Sequence, residues 1–204
     1  MRRRMTGIAI ATALVLSASH AGAADQLIIG KKLLIKNNAD TSKNKVVFLA
    51  KDASIAQPSG GTEDPTVGGG SLTVSDIETL ESFTIPLPAG GWTTNGNGLF
   101  KYKDSTGATC KIVLVKDNKL IKAVCKGTQV AYDLGAAQNA VRVVLSTGTA
   151  PNRYCTTFSS ARGCIVTKDG SDDKTYLAKN CTNAPSGCSP ASPSGAFLDG
   201  ALNF

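Results

Sequence analysis

Histidine is almost absent from this chain. One occurs in 204 residues, His20, and it lies within residues 1–23, which have the layout of a cleaved leader. The remaining chain therefore has no imidazole for a Ser-His-Asp triad, a Cys-His pair or a histidine metal site. Both methionines, Met1 and Met5, fall in the same stretch. Cysteine is missing from the first hundred residues, so that half must hold together by packing alone. Beyond Ala24 no apolar run approaches the roughly 20 residues of a membrane-spanning helix. Aromatic residues make up 5% of the chain, with Trp92 the single tryptophan, which leaves little to line a sugar subsite.

What the first residues do contain is Arg2, Arg3 and Arg4, an apolar stretch from Ile8 to Leu16, and Ala21-Gly22-Ala23. A basic start, a short apolar core and small residues at the end make a secretory signal peptide, with general secretion favoured over a twin-arginine route. No cysteine follows to carry a lipid anchor. The expected product is exported and periplasmic, cell-surface or extracellular. It has 181 of the 204 residues, enough for a single domain with a real core. Losing the three arginines takes the net charge from +7 to +4.

All six cysteines lie after residue 100, an even number in an exported chain, so three disulfides are expected. Cys110 and Cys125 carry the geometric argument. Asp117-Asn118 sits midway between them, and a two-residue turn there sets Cys110 opposite Cys125, Ile112 opposite Ala123 and Leu114 opposite Ile121. One weakness attends it: in such a hairpin the two cysteines fall at a hydrogen-bonded pair, where the strands stand farther apart. Cys155–Cys188 and Cys164–Cys181 are the remaining expected pairs, although six cysteines allow fifteen connectivities.

Around the hairpin the chain reads as short β-branched runs bounded by Asn, Asp, Gly and Pro. They include Leu27 to Gly30, Leu33 to Ile35, Val46 to Leu49, Leu72 to Val74, Phe83 to Ile85, Phe100 to Lys103, Val130 to Leu134, Ala140 to Leu145, Cys164 to Val166 and Tyr176 to Ala178. Ser75-Asp76-Ile77-Glu78 has capping-box spacing and opens either one or two helical turns or a polar connection. Pro86 and Pro88 place their strand at a sheet edge or end it. Residues 56–70 form a long Gly- and Pro-rich loop. About ten strands at regular spacing imply an all-β antiparallel sandwich or open barrel over residues 24–188, with a disulfide-stabilised C-terminal half. A β-solenoid is the runner-up, and residues 189–204 read as a flexible tail.

Chemistry is sparser. Lys101, Lys103, Lys111, Lys116, Lys119, Lys122 and Lys126 stand against only Asp104 and Asp117 in that interval, a local charge above that of the whole mature chain. Lys111, Lys116, Lys119, Lys122 and Lys126 are the candidate binding residues, for an anionic polysaccharide or other cell-surface polymer. The plainer account is that lysines occupy solvent positions and protect strand edges; alternation in Phe100-Lys101-Tyr102-Lys103 fits it. Asp169, Asp172 and Asp173 could present oxygen ligands to calcium, but their spacing is not that of an EF-hand, and a solvated turn accounts for them. The cysteines are too widely spaced for a metal site. No catalytic residue, metal or cofactor is assigned, and no nucleic-acid recognition motif is present.

Gly30-Lys31-Lys32-Leu33-Leu34-Ile35-Lys36, Lys45 to Asp52, Asp64-Pro65-Thr66, Leu87-Pro88-Ala89 with Trp92, Phe100 to Asp104 and Arg153-Tyr154-Cys155 resemble a family of secreted, β-rich proteins of Gram-negative bacteria with no established activity. That resemblance implies export and a β fold, and no site residues. The leading expectation is a non-catalytic binding module. A self-assembling surface or matrix protein is the alternative, and a carboxylate-pair glycoside hydrolase the third reading.

Overall fold

Residues 25–188, apart from 80, 105, 107 and 108, are described by the computed structural model. The expected leader and tail lie outside the described residues. Thirteen strands occupy this span. They are β1 (Asp25–Leu27), β2 (Gly30–Lys36), β3 (Lys45–Ala50), β4 (Gly70–Asp76), β5 (Ser82–Leu87), β6 (Trp92–Thr94), β7 (Leu99–Tyr102), β8 (Cys110–Lys116), β9 (Leu120–Lys126), β10 (Ala140–Thr147), β11 (Asn152–Ser159), β12 (Ile165–Asp169) and β13 (Thr175–Lys179). The one α-helix, α1 (Pro65–Gly68), is a single turn inside the long Gly- and Pro-rich loop. Pro65 opens it and the Asp64 side chain caps it.

Two open sheets result: five strands in the order β1-β11-β10-β4-β5, and eight in the order β12-β13-β2-β3-β9-β8-β7-β6. Every described pairing is antiparallel except β1 with β11. The chain is therefore all-β and two-sheeted, and this strand order is not that of a solenoid, which would stack its turns in parallel.

Alternation drives the packing. In β3 the buried residues are Val46, Phe48 and Ala50, and in β5 they are Phe83, Ile85 and Leu87. Turning these faces inward joins both sheets in one apolar core. Phe48 of the larger sheet meets Phe158 of the smaller edge to face, with centroids 6.2 Å apart. Tyr176 donates its hydroxyl proton to the Phe158 carbonyl oxygen at 2.9 Å, which ties β13 to β11. Where β2 passes beneath β11 only glycine fits: a Cβ on Gly30 would lie 2.6 Å from Phe158 Cζ.

Three disulfides join Cys110 to Cys125, Cys155 to Cys188 and Cys164 to Cys181, the expected pairs, and no described cysteine is free. The hairpin register differs from expectation. Its turn has three residues, with Asn118 at φ 51°, so Val113 faces Ala123 and Val115 faces Ile121. Ile112 and Leu114, expected to pair on the cysteine side, lie on the other face. A bulge at Lys111 then restores Cys110 opposite Cys125. Because Lys126 N–H donates to the Thr109 carbonyl, the two cysteines occupy a non-hydrogen-bonded pair, with Cα atoms 3.8 Å apart. The bulge thereby removes the geometric difficulty of the two-residue turn.

Two further expectations change. Val130 to Leu134 is not a strand, although Val130, Tyr132 and Leu134 are buried in alternation. Its carbonyls are taken up by side chains: Asn44 Nδ2 donates to Val130 O at 2.9 Å and Asn37 Nδ2 to Tyr132 O at 2.6 Å. Ser75 belongs to β4 and caps nothing. Asp76 accepts the N–H groups of Glu78 and Thr79, each at 2.7 Å, and makes a turn of the segment where a helix was one of two options.

Candidate functional site

The larger sheet buries one face and turns the other outward, and the outward residues fall into registered rows. One row is apolar: Leu177, Leu34, Val47, Val124 and Ile112 stand side by side across five strands, each half-buried. On one side of it runs Lys179, Lys32, Leu49, Lys122, Leu114 and Lys101. On the other run Lys36, Lys45 and Lys126 in direct succession. Lys116 stands between Leu99 and Leu120 in a further row beyond Leu114 and Lys122, and Lys168 extends the apolar row beyond Leu177. No Asp or Glu stands in any of these rows.

Lysines placed directly opposite one another repel. Lys36–Lys45, Lys45–Lys126 and Lys179–Lys32 are such pairs. Of the nine lysines in the rows, only Lys168 has a carboxylate of the described residues within ion-pair distance, Asp172 at 3.9 Å. Long aliphatic stems can lie over the apolar row while the ammonium groups reach solvent. The face is therefore both cationic and partly apolar.

The carboxylates are absent from this face because they are used elsewhere. Asp40, Asp52, Asp64, Asp76, Asp104, Asp117, Asp133, Asp169 and Asp172 each accept a backbone N–H in a loop. Hydrogen bonding from Ser42 holds Asp40 below the usual carboxylate range, and Thr106 and Ser171 do the same for Asp104 and Asp169. Asp25 pairs with Arg153, Glu63 accepts from Ser59, and Glu78 accepts from Asn139. Asp169, Asp172 and Asp173 lie in the turn between β12 and β13. No cluster of three or more His, Cys, Asp or Glu suited to a metal occurs among the described residues.

Of the five lysines singled out from the sequence, Lys116, Lys122 and Lys126 lie in the rows. Lys111 occupies the bulge and Lys119 the turn, and all five are exposed. Lys32, Lys36, Lys45, Lys168 and Lys179 were missed. The sheet order brings β13, β2 and β3 beside the hairpin, and no local spacing announces that. Lys101 alternates with buried Phe100 and Tyr102 as the plainer account has it, yet it also joins the row that ends on Leu114.

Comparison of the chain with protein-family models, with curated proteins and with solved structures gave no match. Among the described residues, no helix is long and apolar enough to cross a membrane. The three disulfides point to an oxidising environment and to export.

Proposed function

We propose that the chain is an exported, non-catalytic binding module that holds an acidic polysaccharide against the outer face of its larger sheet. The observation that carries this reading is the row Lys36–Lys45–Lys126, three like charges on adjacent strands with no carboxylate among them. A polyanion laid along the face neutralises the repulsion, and the neighbouring apolar row offers contact area to sugar rings. A periplasmic, cell-surface or extracellular location belongs to the same proposal, as does kinship with secreted β-rich proteins of Gram-negative bacteria.

The self-assembly alternative needs an inviting sheet edge, and the edges discourage it. β5 carries Pro86, β1 and β6 are three residues long, and β12 is bulged and carries Lys168. The hydrolase reading needs two carboxylates facing a substrate, whereas those described are largely engaged in turns.

The test is retention of the mature oxidised protein on immobilised polygalacturonate across a salt gradient. Reversing Lys36, Lys45 and Lys126 to Glu is expected to abolish retention at moderate salt and to flatten its salt dependence. Reversing Lys51, Lys103 and Lys174, which lie outside the rows, removes the same charge and is expected to cost far less. Equal losses from the two sets would mean that net charge alone is being read, and would overturn the proposal.

A further inference from the structure

The outer face of the smaller sheet contains a different kind of cation. Arg142 on β10 points away from the core-facing residues Val141 and Val143, yet it is only 7% exposed. Its Nε and Nη1 are shielded from solvent and make no hydrogen bond, and among the described residues no carboxylate lies within ion-pair distance of it. An arginine in this condition is costly, because the guanidinium stays charged and its donors have lost water. Burial, and then the positive charge of Arg162, lowers its proton affinity from the usual guanidinium value.

What surrounds Arg142 is rich in hydroxyls. Across the sheet, Ser82, Ser75, Arg142 and Thr157 stand in one row. Ser159 lies one pair further along, on β11. Among the described residues, no group hydrogen-bonds to any of these four hydroxyls. Over them runs the segment from Cys181 to Cys188, fixed at both ends by disulfides, to Cys164 and to Cys155. Arg162 holds this strap from below: Nη1 donates to Ala184 O and Nη2 to Ser186 Oγ, both at 3.3 Å. Two clefts remain beneath the strap, of about 310 and 350 Å³, and Arg142 lines both. Thr157, Ser159 and Arg162 line the first, and Ser75, Ser82 and Asp76 the second, the Asp76 carboxylate being engaged by the Glu78 and Thr79 N–H groups.

We propose that Arg142 anchors a binding site for a small oxyanion, a sulfate, phosphate or carboxylate group, seated under the Cys181–Cys188 strap. Guanidinium donors suit such a group, hydroxyls complete its coordination, and an anion placed there relieves both the unpaired donors and the repulsion between Arg142 and Arg162. The site is separate from the lysine face, which lies on the other sheet.

Titration calorimetry and thermal unfolding of the mature oxidised protein with sodium sulfate and with sodium phosphate, against sodium chloride at equal ionic strength, test this. The expected result is saturable binding of one anion per chain and a rise in Tm above that given by chloride. In Arg142→Met the binding should vanish, while the anion-free protein keeps or raises its Tm, because an unpaired buried charge has been removed. Thr157→Val, which preserves shape, should weaken binding by roughly tenfold, the loss expected for a hydrogen bond to a charged group. Reversal of Lys36, Lys45 and Lys126 should leave it unchanged. Absence of saturable binding in the unmodified protein, or full retention of it in Arg142→Met, would overturn the proposal. So would a collapse of the anion-free Arg142→Met fold with sulfate binding intact in Thr157→Val, since the arginine would then be structural.

Discussion

On the larger sheet Lys36, Lys45 and Lys126 stand shoulder to shoulder, Lys36 and Lys126 exposed and Lys45 half-buried, with no carboxylate of the described residues within ion-pair distance. On the smaller sheet Thr73 and Thr84 share a hydrogen bond at 2.9 Å, Ser75 stands beside Arg142, and a disulfide-fixed strap covers part of the face. The strands beneath obey the same alternation and bury the same kinds of residue. What differs is what the outward positions hold, and what later chain is laid across them. Sheet architecture leaves that choice open, so the two outer faces differ while the inner faces share one core.

The shared core should fail first and take both faces with it. Phe158→Ala removes the ring that meets Phe48 and covers Gly30, and is expected to cost about 3–5 kcal/mol in urea unfolding. Breaking the Cys110–Cys125 bond by a double serine substitution should cost about 3 kcal/mol by the loop-closure estimate for this separation. The lysine face should survive that change if β8 and β9 remain paired, which polygalacturonate retention would report. A smaller effect sharpens the contrast: Lys45→Glu places a carboxylate between Lys36 and Lys126, and should stabilise the fold by about 0.2–1 kcal/mol while weakening polymer binding. Stability and binding moving together there would argue that the row is structural.

Acidification should act on the loops and spare the contrast between faces. Asp40, Asp104, Asp169 and Asp172 are held below the usual carboxylate range by hydrogen bonds, from the Ser42, Thr106 and Ser171 hydroxyls and the Thr175 N–H respectively. Their folded-state affinity for protons is lower than in the unfolded chain, so the stability they contribute is present above about pH 4 and fades as pH falls below it. Tm measured from pH 6 to pH 2 should decline only at the acid end, and Asp104→Asn should shallow that decline.

Much of the fold could be read from local pattern because local pattern produced it. The alternation of Phe83, Thr84 and Ile85 is the burial pattern itself, the apolar run Val46 to Leu49 does become a strand, and the midpoint between Cys110 and Cys125 does become a turn. The one-residue error in that hairpin came from the lysine bulge, which lets Cys110 and Val113 face the same way; nothing in the spacing distinguishes it from a regular ladder. Val130 to Leu134 misled because its alternation is real, while its carbonyls are satisfied by Asn37 and Asn44 from a distant loop. The lysine rows depended on which strands become neighbours. Arg142 was least visible of all: in Ala-Val-Arg-Val-Val-Leu it reads as an ordinary solvent position, and only the strap makes it buried.

The order of strands within the sheets also has a consequence for time. β2 lies between β3 and β13, β3 pairs with β9, and β4 lies between β5 and β10. The first hundred residues alone contain only two-stranded ladders, such as β2 with β3 and β4 with β5, and isolated ladders of that kind are marginal in water. Neither sheet can close its ranks until the chain beyond residue 100 arrives, and the parallel β1 waits for β11. Such long-range pairing slows folding. The early strands must therefore stay extended and unaggregated while they wait, a kinetic state that a chain threaded across a membrane before it folds would need to maintain.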